Sequence, residues 1–170
     1  GGDDGRGGFP GCELYDPDTE TWTPTGSPVE ERMLPNHVVV LPGGKALIIG
    51  GATWGPKYIP SCELYDPLSG TWKLTGSLPQ PRWHHTATRL PNGKVLITGG
   101  NVGNWLDHLI TNTALLYDPG TGAWSAAPDL LHPRKLHTAT LLENGKVLLV
   151  GGVDGTGCVT NSVEVYDPTP

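Results

Sequence analysis

The chain has 170 residues, with eleven Lys and Arg against seventeen Asp and Glu for a net charge of −6, and its basic residues are scattered. That distribution lacks the clustered positive footprint a phosphate backbone needs, which argues against nucleic acid as a partner. The longest apolar runs, such as 38–41 and 147–150, are far too short to insert in a bilayer, and no charged-then-apolar targeting segment opens the chain.

A diglycine recurs at Gly1/Gly2, Gly50/Gly51, Gly99/Gly100 and Gly151/Gly152, and each copy is followed by Tyr-Asp-Pro, at Tyr15, Tyr65, Tyr117 and Tyr166. Trp22, Trp72 and Trp124 complete the pattern. A period of about 50 residues with these markers is the signature of a propeller blade. The fold expected is therefore all-β, a partial propeller of four-stranded antiparallel blades with essentially no helix. Rings close with about four to eight blades, so roughly three and a half units need missing blades or another copy to close the ring.

Taken in chain order, residues 1–30 read as the end of a preceding blade. Residues 31–76 form the next, with a tight turn at Pro42-Gly43-Gly44 and a turn-building Asp66-Pro67-Leu68-Ser69-Gly70. Residues 81–127 are the clearest blade, with strand segments at 84–90, 94–100, 113–117 and 123–126, and Asn92-Gly93 supplies the hairpin between the first two. Residues 133–170 are a blade lacking its outermost strand. Each second strand, as in Val147-Leu148-Leu149-Val150, is apolar on both faces, which predicts a sheet covered on two sides.

The paired glycines end each second strand, where the backbone turns sharply or approaches a neighbour closely. Regularly spaced aromatics in a repeat build its core, so Tyr65, Tyr117, Tyr166, Trp22, Trp72 and Trp124 are assigned to packing between blades. Cys12 and Cys62 occupy equivalent positions and are expected as free, largely packed thiols, while Cys158 falls in a loop.

The series Pro81-Arg82-Trp83-His84-His85-Thr86-Ala87-Thr88, Asn92-Gly93-Lys94, Gly99-Gly100, Tyr117-Asp118-Pro119 and Trp124, repeated from Pro133 to Pro168, resembles the kelch repeat. The His-Thr-Ala-Thr wording is similar to bacterial kelch proteins. The resemblance implies that the first strand of each blade lines a central channel. It also implies that connections between blades and connections from second to third strands share one rim, where partners bind, and it favours an extracellular or cell-surface location.

The second-to-third-strand connections, 52–61, 101–112 and 153–162, are the longest and least alike, and variable loops on a rigid scaffold are where function usually resides. They supply the candidate binding residues Trp54, Tyr58, Trp105, Asp107, His108 and Asp154. Arg82 and Arg134 join them from the same rim, although recurrence at a fixed distance after each tryptophan also suits a role in holding the blade edge.

His85 and His137, equivalent positions facing one channel, are weak metal candidates, set against the reading that each satisfies buried groups. The first repeat has Asn36 at that position and His37 one place later, and one extra residue after Arg32; a bulge would bring His37 back into line. The reading favours a non-catalytic module recognising a protein or glycan. One alternative is part of the propeller of a secreted carbohydrate-active enzyme or galactose-oxidase-like copper oxidase, the only reading that takes a cofactor. Against the copper case, His84-His85 stands where that enzyme class resemblance implies Tyr-His. A purely structural spacer in a surface protein is the other alternative.

Overall fold

A computed structural model of the chain describes residues 2–3, 8–9, 11–32, 37–53, 57–103 and 109–168. Among these, all regular structure is β-strand, paired antiparallel. Val38–Val40, Ala46–Ile49, Cys62–Asp66 and Thr71–Thr75 form one four-stranded sheet, the first blade. Thr86–Arg89, Val95–Thr98, Ala114–Asp118 and Ala123–Ala127 form the second. A leading hairpin, Cys12–Asp16 with Thr21–Thr25, precedes them, and a three-stranded sheet of Thr138–Leu141, Val147–Val150 and Val163–Tyr166 follows as the third blade.

The turns are made by the residues the sequence puts there. Leu90 N donates to Lys94 O and Gly93 N to Leu90 O, with Asn92 Oδ1 taking the Lys94 amide at 3.1 Å. At the neighbouring turn Asp118 Oδ1 accepts from Gly120 N at 2.9 Å, and Lys94 Nζ reaches Asp118 Oδ2 at 3.2 Å. The same Lys–Asp tie recurs as Lys45–Asp66 and Lys146–Asp167. These pairs are exposed, so each is worth at most about 1 kcal/mol.

The core lies in the seams between blades rather than inside any one sheet. Val39, Leu41, Leu47, Ile49, Cys62, Leu78, Val95, Ile97 and Tyr117 fill the seam from first to second blade. Leu90, Leu96, Ala114, Ala127, Leu130, Val147, Leu149 and Tyr166 fill the next. Second strands of the first two blades are consequently buried on both faces, completely so in Val95–Thr98; in Val147–Val150, expected to be covered on two sides, Val147 and Leu149 are buried but Val150 is 39% exposed, because no further blade packs on that side among the described residues. Inner strands of successive blades touch each other, which arranges the sheets around a shared axis as a partial β-propeller.

Two seams, those in front of the first and second blades, are tied at the outer end by a recurrent pair. Tyr65 faces Trp72 in register, and its hydroxyl lies 2.6 Å from Thr25 Oγ1 on the preceding strand end. The Trp72 indole donates to Gly26 O at 2.8 Å. Tyr117 and Trp124 repeat both contacts with Thr75 and Gly76. On the leading hairpin the equivalent Tyr15 and Trp22 face outward, 49% and 63% exposed, with no earlier sheet against them among the described residues.

One difference from expectation lies in the inner strand. A continuous strand was expected from residue 84, but the backbone breaks at His84 and His85. His84 adopts φ +57°, as Leu136 does in the next repeat at +56°. Opposite the break, Gly100 sits at φ +96°, where a Cβ would stand 2.6 Å from Trp83 O and 2.9 Å from His85 N. Beyond it, Arg82–Trp83 pairs with Asn101–Val102 as a separate ribbon, and Arg134–Lys135 pairs with Val153–Asp154 likewise. The diglycine thus lets two paired strands swing away from the sheet without separating.

Candidate binding surface

The rim is built where those ribbons, the interblade linkers and the second-to-third-strand connections meet. Leu130 N donates to Asn112 O and Arg134 N to Thr111 O, which lays the linker into the third blade alongside the 101–112 connection. Each connection is closed near both ends by backbone bonds. Gly99 N reaches Thr113 O and Thr111 N reaches Gly100 O in the second blade, and Gly151 N reaches Ser162 O and Thr160 N reaches Gly152 O in the third.

Burial removes Arg82 and Arg134 from the set of rim residues free to meet a ligand. Arg134 is fully buried and spends Nη1 on Gly151 O and Ser162 O, and Nη2 on Ser162 Oγ and Glu164 Oε1 at 2.6 Å. Arg32 is arranged the same way around Gly50, Ser61 and Glu63. The two carboxylates go on to accept linker amides, Val29 and Glu30 for Glu63, and Leu131 and His132 for Glu164. Each Arg–Glu pair therefore clamps a linker to the blade that follows it.

Arg82 departs from this pattern. Strand register puts Leu115 at the position of Glu63 and Glu164, so among the described residues Arg82 bonds Gly99 O, Thr113 O and Thr113 Oγ1 and no carboxylate. Burial lowers its pKa to about 10, partly opposed by the negative charge of Asp129.

Tyr58 is also removed as an exposed aromatic. It is 3% exposed, with its ring 5.5 Å from that of Trp83 in the next blade, so it covers the rim instead of offering a stacking surface. Asp154 organises its own turn, Oδ1 accepting from Thr156 N, Thr156 Oγ1 and Cys158 N, which holds the carboxyl below its ordinary range. Trp54, Trp105, Asp107 and His108 lie outside the described residues.

The histidines do not form a metal-holding group among the described residues. His137 Nε2 reaches across the seam to Thr86 Oγ1 and Thr98 Oγ1, 3.0 Å from each. His85 is 2% exposed, and burial holds it well below the usual imidazole range, with His37, Arg82, His137 and His84 adding in that order. Val38 pairs with Ile48 where Ala87 pairs with Ile97, so His37 stands at the position of Thr86. His37 is therefore not at the place of His85, contrary to the bulge expectation; Asn36 lies outside the described residues. No group of three or more His, Cys, Asp or Glu stands ready for a metal among the described residues.

What the rim does offer is aliphatic. Leu109 on one connection is 57% exposed, Val159 on another 87%, and Leu131 on the linker between them 80%. Sequence reasoning missed these three, because a lone Leu or Val in a β-protein reads as strand interior. Their only signal was position, within segments that break the repeat.

Comparison with known proteins follows the same lines. The Kelch motif profile matches residues 82–131 and 134–169. The chain is similar to alpha-scruin of Limulus polyphemus, 33% identical over 93 residues, which is 53% of this chain and 10% of that protein. It is similar to Kelch-like protein 35 of Mus musculus, 30% identical over 170 residues, covering 99% of this chain and 27% of that protein. F-box protein AFR of Arabidopsis thaliana is 35% identical over 77 residues, 45% of this chain and 18% of its own length. The chain thus spans about a tenth to a quarter of these relatives, all of them eukaryotic.

Proposed function

The chain belongs to the kelch repeat family, and from that premise we propose that it is a non-catalytic scaffold that binds a protein partner through its connection rim. The observation that carries this reading is the exposure of three aliphatic side chains, Leu109 and Val159 on second-to-third-strand connections and Leu131 on a linker, all outside the regular blade strands that repeat. Protein interfaces are built around such desolvated apolar contacts within a polar rim. Trp54 and Trp105, from the same connections, are assigned as further contacts, because large amphipathic rings anchor interfaces well. The wider kelch family, with scruins and kelch-like proteins among this chain's relatives, supports a scaffold. The Val163–Tyr166 edge, unpaired on its outer side among the described residues, is read as receiving a strand from a flanking blade.

The test is proximity labelling of the chain in cells, compared with the variants Leu109→Ser, Val159→Ser, Trp54→Ala and Trp105→Ala, alongside a glycan array. Proteins enriched by the unaltered chain and lost in at least the Leu109→Ser and Val159→Ser variants support the proposal. Enrichment untouched by all four changes, or array binding with no protein enriched, overturns it.

A further inference from the structure

The seam between the first and second blades differs from its neighbour at both ends. In the second-to-third seam, the Thr86 and Thr98 hydroxyls lie 2.7 Å apart and both meet His137 Nε2. In the first-to-second seam the same two positions, by register, are His37 and Ile49. His85, the counterpart of His137, packs its ring 5.5 Å from that of His37 with the planes 53° apart. Neither of its ring nitrogens has a hydrogen-bond partner among the described residues.

At the outer end this seam also lacks the clamp. Leu115 replaces the glutamate, and Pro79 stands where Val29 and Leu131 donate their amides, so no N–H is available there. The charged and titratable groups acting on His85 are all basic: His37 from the first blade, Arg82 and His84 from its own blade, and His137 from the third. A proton placed on the His37–His85 pair therefore meets a second imidazole, an aliphatic chain and, for His37, the His85 backbone, with no carboxylate among the described residues. A proton on His137 meets two hydroxyl oxygens able to accept and the Glu164 carboxylate nearby, although burial, then Arg134 and His37, still hold this imidazole at about 4.

We propose that the seam between the first and second blades is an acid-opened joint, in which protonation of the His37–His85 pair parts the two inner strands before the next seam yields. Two backbone bonds at equivalent places report on the two seams. Gly51 N donates to Arg82 O at 3.0 Å across the first, and Gly100 N donates to Arg134 O at 2.8 Å across the second.

Amide exchange measured by NMR at pH 7.5 and 5.0, corrected for intrinsic rates, compares them in one sample. The expected result is a loss of protection at Gly51 on acidification exceeding that at Gly100 by about tenfold or more, the factor equivalent to one pH unit of linkage. The variant carrying His37→Thr and Ile49→Thr installs the hydroxyl pair of the next seam and is expected to make the two amides respond alike. His37→Phe, which removes the second titrating ring and keeps an aromatic side chain, is expected to shrink the difference as well. Parallel loss at both amides in the unaltered chain overturns the proposal, as does a selective Gly51 loss that persists in either variant.

Discussion

The Tyr117 hydroxyl lies 2.6 Å from Thr75 Oγ1, across the seam from the second blade to the outer strand of the first. With Trp124 donating to Gly76 O one residue on, a single Thr-Gly step answers both large aromatics of the following blade. The third seam departs from this, because Ala127-Pro128 occupies the place of Thr-Gly and meets Tyr166 with a methyl group.

Restoring the hydroxyl is the first test of that relationship. Ala127→Thr is expected to raise stability by about 0.5–1 kcal/mol, and Thr75→Val to lower it by about 1 kcal/mol. Urea unfolding midpoints measure both, and a Thr75→Val chain as stable as the original would remove the seam hydrogen bond from the account.

The linker clamps make a sharper contrast. Arg134→Met strands a largely buried Glu164 carboxylate and is expected to cost about 3–5 kcal/mol. Arg82→Met leaves no carboxylate stranded in contact and is expected to cost less. Equal losses in chemical denaturation would show that the glutamate contributes little.

Acid is expected to destabilise the chain from about pH 6.5 downward. Burial lowers His84 and His137 to about 4 and His85 well below its ordinary value. The unfolded chain therefore binds more protons than the folded one across the window from 6.5 to 4. Stability is fully present above that window and falls as pH drops through it, with a slope approaching about 1.4 kcal/mol per pH unit for each fully depressed histidine. Denaturation midpoints recorded from pH 7.5 to 4.5 give the curve, and a flat profile contradicts it.

Thiol chemistry separates the three cysteines. Cys158 is exposed and is expected to react promptly with an aromatic disulfide reagent in the native state. Cys62 is buried and its thiol is pushed up to about 11 by desolvation, so its reaction should wait for unfolding. Rapid native labelling of Cys62 would contradict the closed first-to-second seam at neutral pH.

Architecture was legible because the residues that build it recur. Asn92-Gly93, Asp118-Pro119 and the diglycines each dictate a local geometry wherever they stand, and their spacing gave the blade before any contact was known. The kink at His84 was not legible, since Leu136 takes the same positive φ at the equivalent position, so residue type alone does not signal it. The rim was legible as a set of segments and not as a set of residues. Tyr58 and Arg82 looked available because type and position said rim, yet Trp83 and the carbonyls of Gly99 and Thr113 bury them. The lost clamp at Leu115 was visible only once register aligned it with Glu63 and Glu164.

The backbone bonds that pinch off residues 101–112 give that segment the character of a cassette. Because Gly99 and Gly100 hold its two feet together through Thr113 and Thr111, the stretch between the paired Asn101–Val102 and Leu109–Ile110 can be exchanged for an unrelated peptide of similar length without disturbing the sheet beneath. New recognition can thus be grafted, or can evolve, one loop at a time on an unchanged frame.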